Sequence, residues 1–356
     1  MPTWGDIGAE LNQLATHHLI TAPGAPSPLD ILRRRYLAKL QQHTGRAVII
    51  YATSWLESTP ASGESQQIVL GDLQAFMETC YGIGGRELDL ILTSPGGVPD
   101  AAEAIMQYLR TQFDNIRVIV PVAAMSAATM MSLASDEIVM GNHSQLGPID
   151  PQITVQTPEG PRSAPGQAIL DQFELAKQQC TDPANLAAWL PMLRALLPGL
   201  ITFCVSQQEL AQASARESLE RHMFTGEHDA AGKAEHAAAY FSDHKSFKSH
   251  GRRVNRDDAR KVGLKVTNLE DDKVLQDLVL SVHHAVRYTF RQGGVIKLVE
   301  NHDGRAYIEA AQMVQIMSGP PAGPVPPALP TGFGSPNPAP VATPPRHERR
   351  AAKRKK

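Results

Sequence analysis

Apolar positions along the chain follow two alternating rhythms. "AVIIYATSW" (47–55), "LDLIL" (88–92), "IRVIVPV" (116–122) and "SDEIVMG" (135–141) are short, nearly unbroken apolar runs. Such runs predict buried strands. The segments between them place apolar residues three and four apart, the spacing of an amphipathic helix. In "QIVLGDLQAFMETCYGI" (67–83), Leu70, Leu73, Phe76 and Met77 share one helical face. In "VPDAAEAIMQYLRTQF" (98–113), Ala102, Ile105, Met106 and Leu109 do so. Upstream, "SPLDILRRRYLAKLQQHTG" (27–45) carries a stripe of Leu29, Leu32, Leu37 and Leu40. Pro28 and Asp30 mark its start and Gly45 its end.

The order strand, helix, strand, helix, strand predicts an α/β fold with a largely parallel sheet. In such sheets functional sites collect at the carboxyl ends of strands. "TSPGG" (93–97) and "AAMSAA" (123–128) both fall at such ends. Residues 167–222 read as helical, interrupted at Pro183, Pro191 and Pro198. "RDDARKVGLKV" (256–266) reads as a short helix ended by Gly263, then a strand. "KVLQDLVLSVHHAVRYTF" (273–290) is a further helix, and two short strands flank Asp303-Gly304. From Ser318 to Pro345 lie eleven of the chain's 27 prolines, a composition that cannot bury a core and predicts disorder. The expected organisation is an N-terminal helical extension (1–45), a core (46–317) with a helical insert around 167–240, and a Pro-rich basic tail (318–356).

Charge changes this picture only at the end. Residues 346–356, "RHERRAAKRKK", hold seven Lys/Arg against one Glu, within a chain of formal net charge -2. The body is therefore mildly acidic and the tail basic. A weak contact of the tail with an anionic surface is one reading; a solvated end is the simpler one. The three cysteines, Cys80, Cys180 and Cys204, are widely spaced and give neither a disulfide framework nor a metal pattern. "MPTWGDIGAELNQL" lacks a basic start followed by an apolar core, and the apolar run 118–134 is too short to span a bilayer. A cytoplasmic protein without an integral membrane segment is the expectation.

The chemistry centres on Ser126, in "PVAAMSAATMMSL" (121–133), where a strand gives way to a helix. A serine nucleophile needs N–H donors aimed at the oxyanion that forms on the attacked carbonyl. Gly96 and Gly97 allow main chain to approach closely, and the Ala127 amide, at a helix start, is a second donor. The plain alternative is that Ser126 caps a helix and the glycines only make a turn.

"LILTSPGGVPDAAEAIMQYLR" followed by "VIVPVAAMSAATMMSLASDEIVMGNHSQLGPIDPQ" resembles the Clp-protease/crotonase superfamily. Within it, the similarity is to the signal-peptide-peptidase-A-like group, in particular the serine dehydrogenase proteinase (SDH-type) family. It runs from about Arg46 to about Val266. The resemblance implies a spiral of ββα units, a groove of strands that binds an extended peptide, and a homo-oligomer. It implies Ser126 as nucleophile, with Gly97 and Ala127 as oxyanion donors. The histidine base of the Clp proteolytic subunit is missing, since its position falls near Ile149 and Asp150. Signal peptide peptidases use a lysine further on, and Lys177 in "DQFELAKQQC" lies at a comparable spacing. Lysine serves as a base only when neutral, which burial favours, and Ile169, Leu170 and Phe173 on the same helix suggest partial burial.

Other residues stay open at this level. Asp150, in a Gly-Pro-Ile-Asp-Pro turn, either orders the site or shapes its own turn. "FSDHKSFKSHGR" (241–252), with His244, Lys245, Lys248 and His250, offers a second source of a base or a substrate contact, or is a solvated basic loop. The histidines fit no zinc spacing. Gly82-Ile83-Gly84-Gly85 precedes a strand, so a dinucleotide loop is excluded on context, and no cofactor is expected despite the family's name. The rivals to a serine peptidase are acyl-CoA thioester chemistry of crotonase type, which needs no serine nucleophile, and an inactive oligomeric scaffold.

Overall fold

The computed structural model describes residues 2–17, 26–58, 63–157, 160–247, 249 and 251–310. The expected disordered tail, His250 and Lys248 lie outside the described residues. The chain starts with helices α1 (Trp4–His17) and α2 (Pro28–Thr44). Ser27 and Asp30 form a reciprocal capping box at the start of α2, and Gly45, at φ 69°, closes its end. Then follow β1 (Ala47–Thr53), α3 (Asp72–Cys80), β2 (Glu87–Thr93), α4 (Pro99–Gln112), β3 (Asn115–Val120), the two-residue β4 (Ala123–Ala124), α5 (Ala127–Leu133) and β5 (Glu137–Met140). A second two-residue strand, β6 (Gln145–Leu146), precedes an antiparallel hairpin of β7 (Gln152–Thr157) and β8 (Gly160–Pro165). Next come α6 (Gly166–Gln179), α7 (Pro183–Ala195), α8 (Leu200–Arg221), α9 (Ala230–Ser242), α10 (His244–Phe247) and α11 (Arg256–Lys261). The described chain ends with β9 (Val266–Asn268), α12 (Lys273–Gly293), β10 (Val295–Asn301) and β11 (Ala306–Ala310).

Among the described residues the central sheet has seven strands in the order β11-β10-β1-β2-β3-β5-β9. β1, β2, β3, β5 and β9 are parallel, while β10 and β11 join antiparallel at one edge. This is the mixed, mostly parallel α/β architecture that the sequence pattern predicts. Its strands read as continuous apolar runs because both faces are covered. Ile49, Tyr51, Leu88 and Leu90 pack with α3, α4 and α5, whereas Val48, Ile50 and Ile91 meet Leu37 and Leu40 of α2 and Val279, Val282 and Val286 of α12. The Arg33 guanidinium, fully buried, joins α2 to β10 through Glu300 at 2.7 Å.

The α3 face differs from expectation. Leu70 and Met77 are exposed, and Asp72, Ala75, Phe76, Thr79 and Cys80 are the buried positions. Ile68 is drawn into a bridge with Gly97, so the helix starts only at Asp72 and its inward face is rotated away from Leu70. The hairpin β7–β8 was invisible in the sequence because its prolines and glycine read as loop. Pro191 lies inside α7 instead of ending it.

Candidate active site

Two loops at neighbouring strand ends are sewn together by main chain. The Ser94 N–H donates to Ala123 O (3.2 Å) and the Met125 N–H to Ser94 O (3.0 Å), which lays the SPGG segment beside β4. Ser94 Oγ accepts from the Gly96 N–H at 3.1 Å and tightens the turn. On the other side, the Ile68 N–H donates to Gly96 O (2.8 Å) and the Val98 N–H to Ile68 O (2.9 Å). The two glycines are therefore sandwiched between Ile68 and the Ser126 turn. A Cβ on Gly97 would stand 2.3 Å from Ile68 N. A Cβ on Gly96, whose φ is +99°, would stand 2.5 Å from Met125 O. Close approach, as well as turn geometry, requires glycine at both positions.

Ser126 itself has φ 51° and ψ -120°. Only it and Asp229 hold a positive φ among the described non-glycine residues. Such a conformation costs about 1–3 kcal/mol and persists only where the surroundings impose it. The side chain caps no amide of α5, so the helix-cap reading fails. Ser126 is half-buried while Ala123, Ala124, Ala127 and Ala128 around it are buried, which leaves its hydroxyl at an opening in a wall of small residues. Among the described residues, neither the Gly97 nor the Ala127 N–H meets an acceptor. Unengaged donors beside a strained serine are the elements that an oxyanion-binding nucleophile needs.

Residues that the sequence did not single out hold this arrangement. The Thr129 hydroxyl, inside apolar α5, donates to Ala124 O (2.8 Å) and accepts from the Gly147 N–H (2.9 Å). It thereby joins the serine helix, β4 and the Gly147–Pro151 turn. Gly147 presses on Met125, since a Cβ there would lie 2.6 Å from its Cε. Ser144 Oγ donates to Val120 O at 2.5 Å and accepts from the Gly141 N–H at 2.8 Å. Their signal in the sequence was a hydroxyl isolated among apolar or turn residues, which needs a partner when buried.

The remaining candidates are placed as follows. Asp150 is buried; its Oδ2 accepts from Gln152 Nε2 at 3.0 Å and lies 3.1 Å from His244 Nδ1. The turn is fixed further by the Ile149 N–H donating to Phe241 O at 2.9 Å. Lys177 stands on α6 with its side chain 58% exposed, and both Glu174 oxygens accept from its Nζ at 2.9 Å. The expected partial burial is not found. Ala176 occupies the inward position, and the next residue along a helix turns about 100° away from it. Among the described residues no three His, Cys, Asp or Glu side chains converge as metal ligands would. No described helix is long and apolar enough to cross a membrane.

Comparison with known proteins finds similarity over part of the chain. Two uncharacterized proteins of Methanocaldococcus jannaschii are 44% identical over 68 residues and 42% identical over 66 residues. These matches cover 19% and 18% of this chain, and only 24% and 23% of the relatives' own length. Among solved structures, a mutant of the membrane-bound stomatin-specific protease 1510-N aligns with a TM-score of 0.36 at 16% identity, over 60% of this chain and 79% of that one. Residues 82–174 match the family model of the ClpP-like SDH-type serine proteinases. The segment that supplies SPGG, Ser126 and the Asp150 turn thus carries the pattern of the ClpP-like SDH-type serine proteinases.

Proposed function

We propose that the protein is a serine peptidase in which Ser126 attacks a peptide carbonyl. The observation that carries this reading is the strained, non-capping Ser126 beside the Gly97 and Ala127 amides, which meet no acceptor among the described residues. Attack forms the Oγ–carbon bond and places negative charge on the carbonyl oxygen. Gly97 and Ala127 stabilise that oxygen, while Gly96 provides the clearance that lets the loop approach. Collapse breaks the carbon–nitrogen bond, the leaving amine takes the proton, and water then resolves the acyl-enzyme.

Lys177 is the proposed base. A lysine accepts a proton only when neutral, and here Glu174 holds its ammonium in solvent. The role therefore requires substrate or a neighbouring subunit to cover α6 and free it. A second reading is favoured by the His244–Asp150 contact. An ionised carboxylate only accepts, so in this reading His244 Nδ1 donates to Asp150 and Nε2 is the atom offered as the base. Asp150 then orders the site through His244, while His250 on the same segment would contact substrate.

The proposed substrate is a peptide or protein and the proposed setting the cytoplasm, with no cofactor. Homo-oligomer formation is supported by apolar side chains left uncovered on α7, the turn after it and α8, among them Leu186, Leu197 and Phe203. The basic tail would add at most a weak anionic contact. The deciding experiment is labelling with a fluorophosphonate probe, comparing wild type with Ser126→Ala and mapping the modified peptide. Modification confined to Ser126 is expected. No modification of folded, assembled protein would favour the scaffold or thioester readings.

A further inference from the structure

We infer that the buried Lys297–Asp72–Tyr51 cluster is a positioning unit that sets the Gly97 amide through Ile68. The inference rests on the peptidase reading of Ser126, in which that amide is an oxyanion donor. Asp72 is the first residue of α3 and is 3% exposed. Its Oδ1 lies 3.0 Å and its Oδ2 3.3 Å from Lys297 Nζ, and Lys297 is itself 3% exposed. Oδ2 also accepts from the Tyr51 hydroxyl at 2.8 Å and from the Val69 N–H at 3.0 Å. Glu309 Oε2, 4.0 Å from Lys297 Nζ, is the second carboxylate near the lysine among the described residues.

Lys297 belongs to β10 and Tyr51 to β1, adjacent strands of the sheet. Tyr51 is stacked on Phe76 of α3, with ring centroids 5.7 Å apart. One carboxylate therefore fixes the 69–72 segment to two rigid strands. Val69 directly follows Ile68, and Ile68 pairs with the loop on both sides of Gly97, through Gly96 O and the Val98 N–H. The direction of the Gly97 amide is consequently set by where Ile68 lies, and Ile68 is set by Asp72. Burying a lysine and an aspartate is costly, and apolar residues of like shape would start a helix as well. What the cluster adds is direction, because three donors of different origin converge on one carboxylate.

The test uses the full chain with Lys297→Met and Asp72→Asn combined, so that no unpaired charge is left in the core, and Tyr51→Phe as a milder variant that keeps the ion pair. Two quantities are read: the fluorophosphonate rate constant at saturation, separated from probe affinity, and hydrogen exchange at the Ile68 and Val98 amides. Expected is a loss of about tenfold or more in rate at nearly unchanged probe affinity, on the scale of a misdirected oxyanion donor. Faster exchange at Ile68 and Val98, with β2 and β3 still protected, should accompany it. Unchanged rate, unchanged exchange at those two amides, or a loss of protection throughout the sheet would each overturn the inference, the last by showing a purely structural role. Folded wild-type protein that the probe does not label at Ser126 would defeat the peptidase reading instead. The exchange at Ile68 and Val98 would still decide whether the cluster positions the loop.

Discussion

Gly96 and Ser126 are in such close contact that a Cβ added to the glycine would lie 2.7 Å from the serine's Cβ and 2.9 Å from Ala127 N. Neither residue has an ordinary backbone: φ is +99° at Gly96 and 51° at Ser126. Each conformation is held by the other loop, through hydrogen bonds joining Ser94 to Ala123 and Met125. The site is thus a property of the contact between two strand ends, and it follows that small changes on one loop should disable the other.

Gly96→Ala tests this directly. The methyl group would meet backbone, which cannot swing aside, and alanine strains at positive φ. Labelling of Ser126 should fall by about 10²-fold or more, the scale of a lost oxyanion arrangement. Near-wild-type labelling kinetics would show that the two loops are not coupled.

Ser126→Gly separates strain from chemistry. Relief of a positive φ returns about 1–3 kcal/mol, and the greater freedom of glycine in the unfolded chain takes back about 0.4–1 kcal/mol. The variant should be inert to the probe yet more stable than wild type by about 1 kcal/mol in urea titration. A less stable Ser126→Gly protein would mean that the conformation carries no strain.

How far the sequence reaches can be seen from these same residues. Ser126, Gly96 and Gly97 were legible because close main-chain approach and a hydroxyl before a helix leave a local signature, and the parallel sheet was legible from unbroken apolar runs. Ile68 was not, because its role depends on pairing with a loop almost thirty residues away, and one more isoleucine in an apolar segment carries no mark. Lys297 and Asp72 lie on β10 and α3, and their pairing exists only once the sheet is assembled. Lys177 illustrates the reverse error. Apolar neighbours on a helix suggested burial, but rotation of one residue from Ala176 puts it in solvent.

The two readings of the base make opposite predictions. With Lys177 as base, Lys177→Ala should lower labelling by about 10²–10⁴-fold while leaving stability within about 0.5 kcal/mol, since the side chain is exposed. With His244 as base, His244→Ala should do so and Lys177→Ala should change little. Asp150→Asn would then shift the pH profile of labelling in addition to its rate.

The apolar face of α7 and α8 predicts the assembly. Leu186→Asp combined with Phe203→Asp places charge on side chains that are about half exposed in the single chain. If a second copy covers them, the pair should lower the mass seen by light scattering without loss of helical signal. An unchanged mass would remove this surface from the interface.

Acid should weaken the fold through His283. This residue, 4% exposed on α12, is pushed down to about 3 by burial first, with the neighbouring His284, Arg287 and His143 charges adding to it. The unfolded chain binds a proton near pH 6.5 while the folded one does not, so stability is full above that pH and is lost as pH falls toward the folded value. Between pH 6.5 and 5 the loss from this group is about 2 kcal/mol. His222, held down to about 4 by burial first and then by Arg110, adds loss of the same sign. Glu57, which burial pushes up but the hydrogen bonds and charges of Arg287 and Arg291 together hold below the usual carboxylate range, contributes only at more acidic pH. Urea midpoints measured from pH 7.5 to 5 should therefore fall more steeply for wild type than for His283→Gln. Equal slopes would mean that the buried ring is protonated in the folded state or that the unfolded chain does not release it.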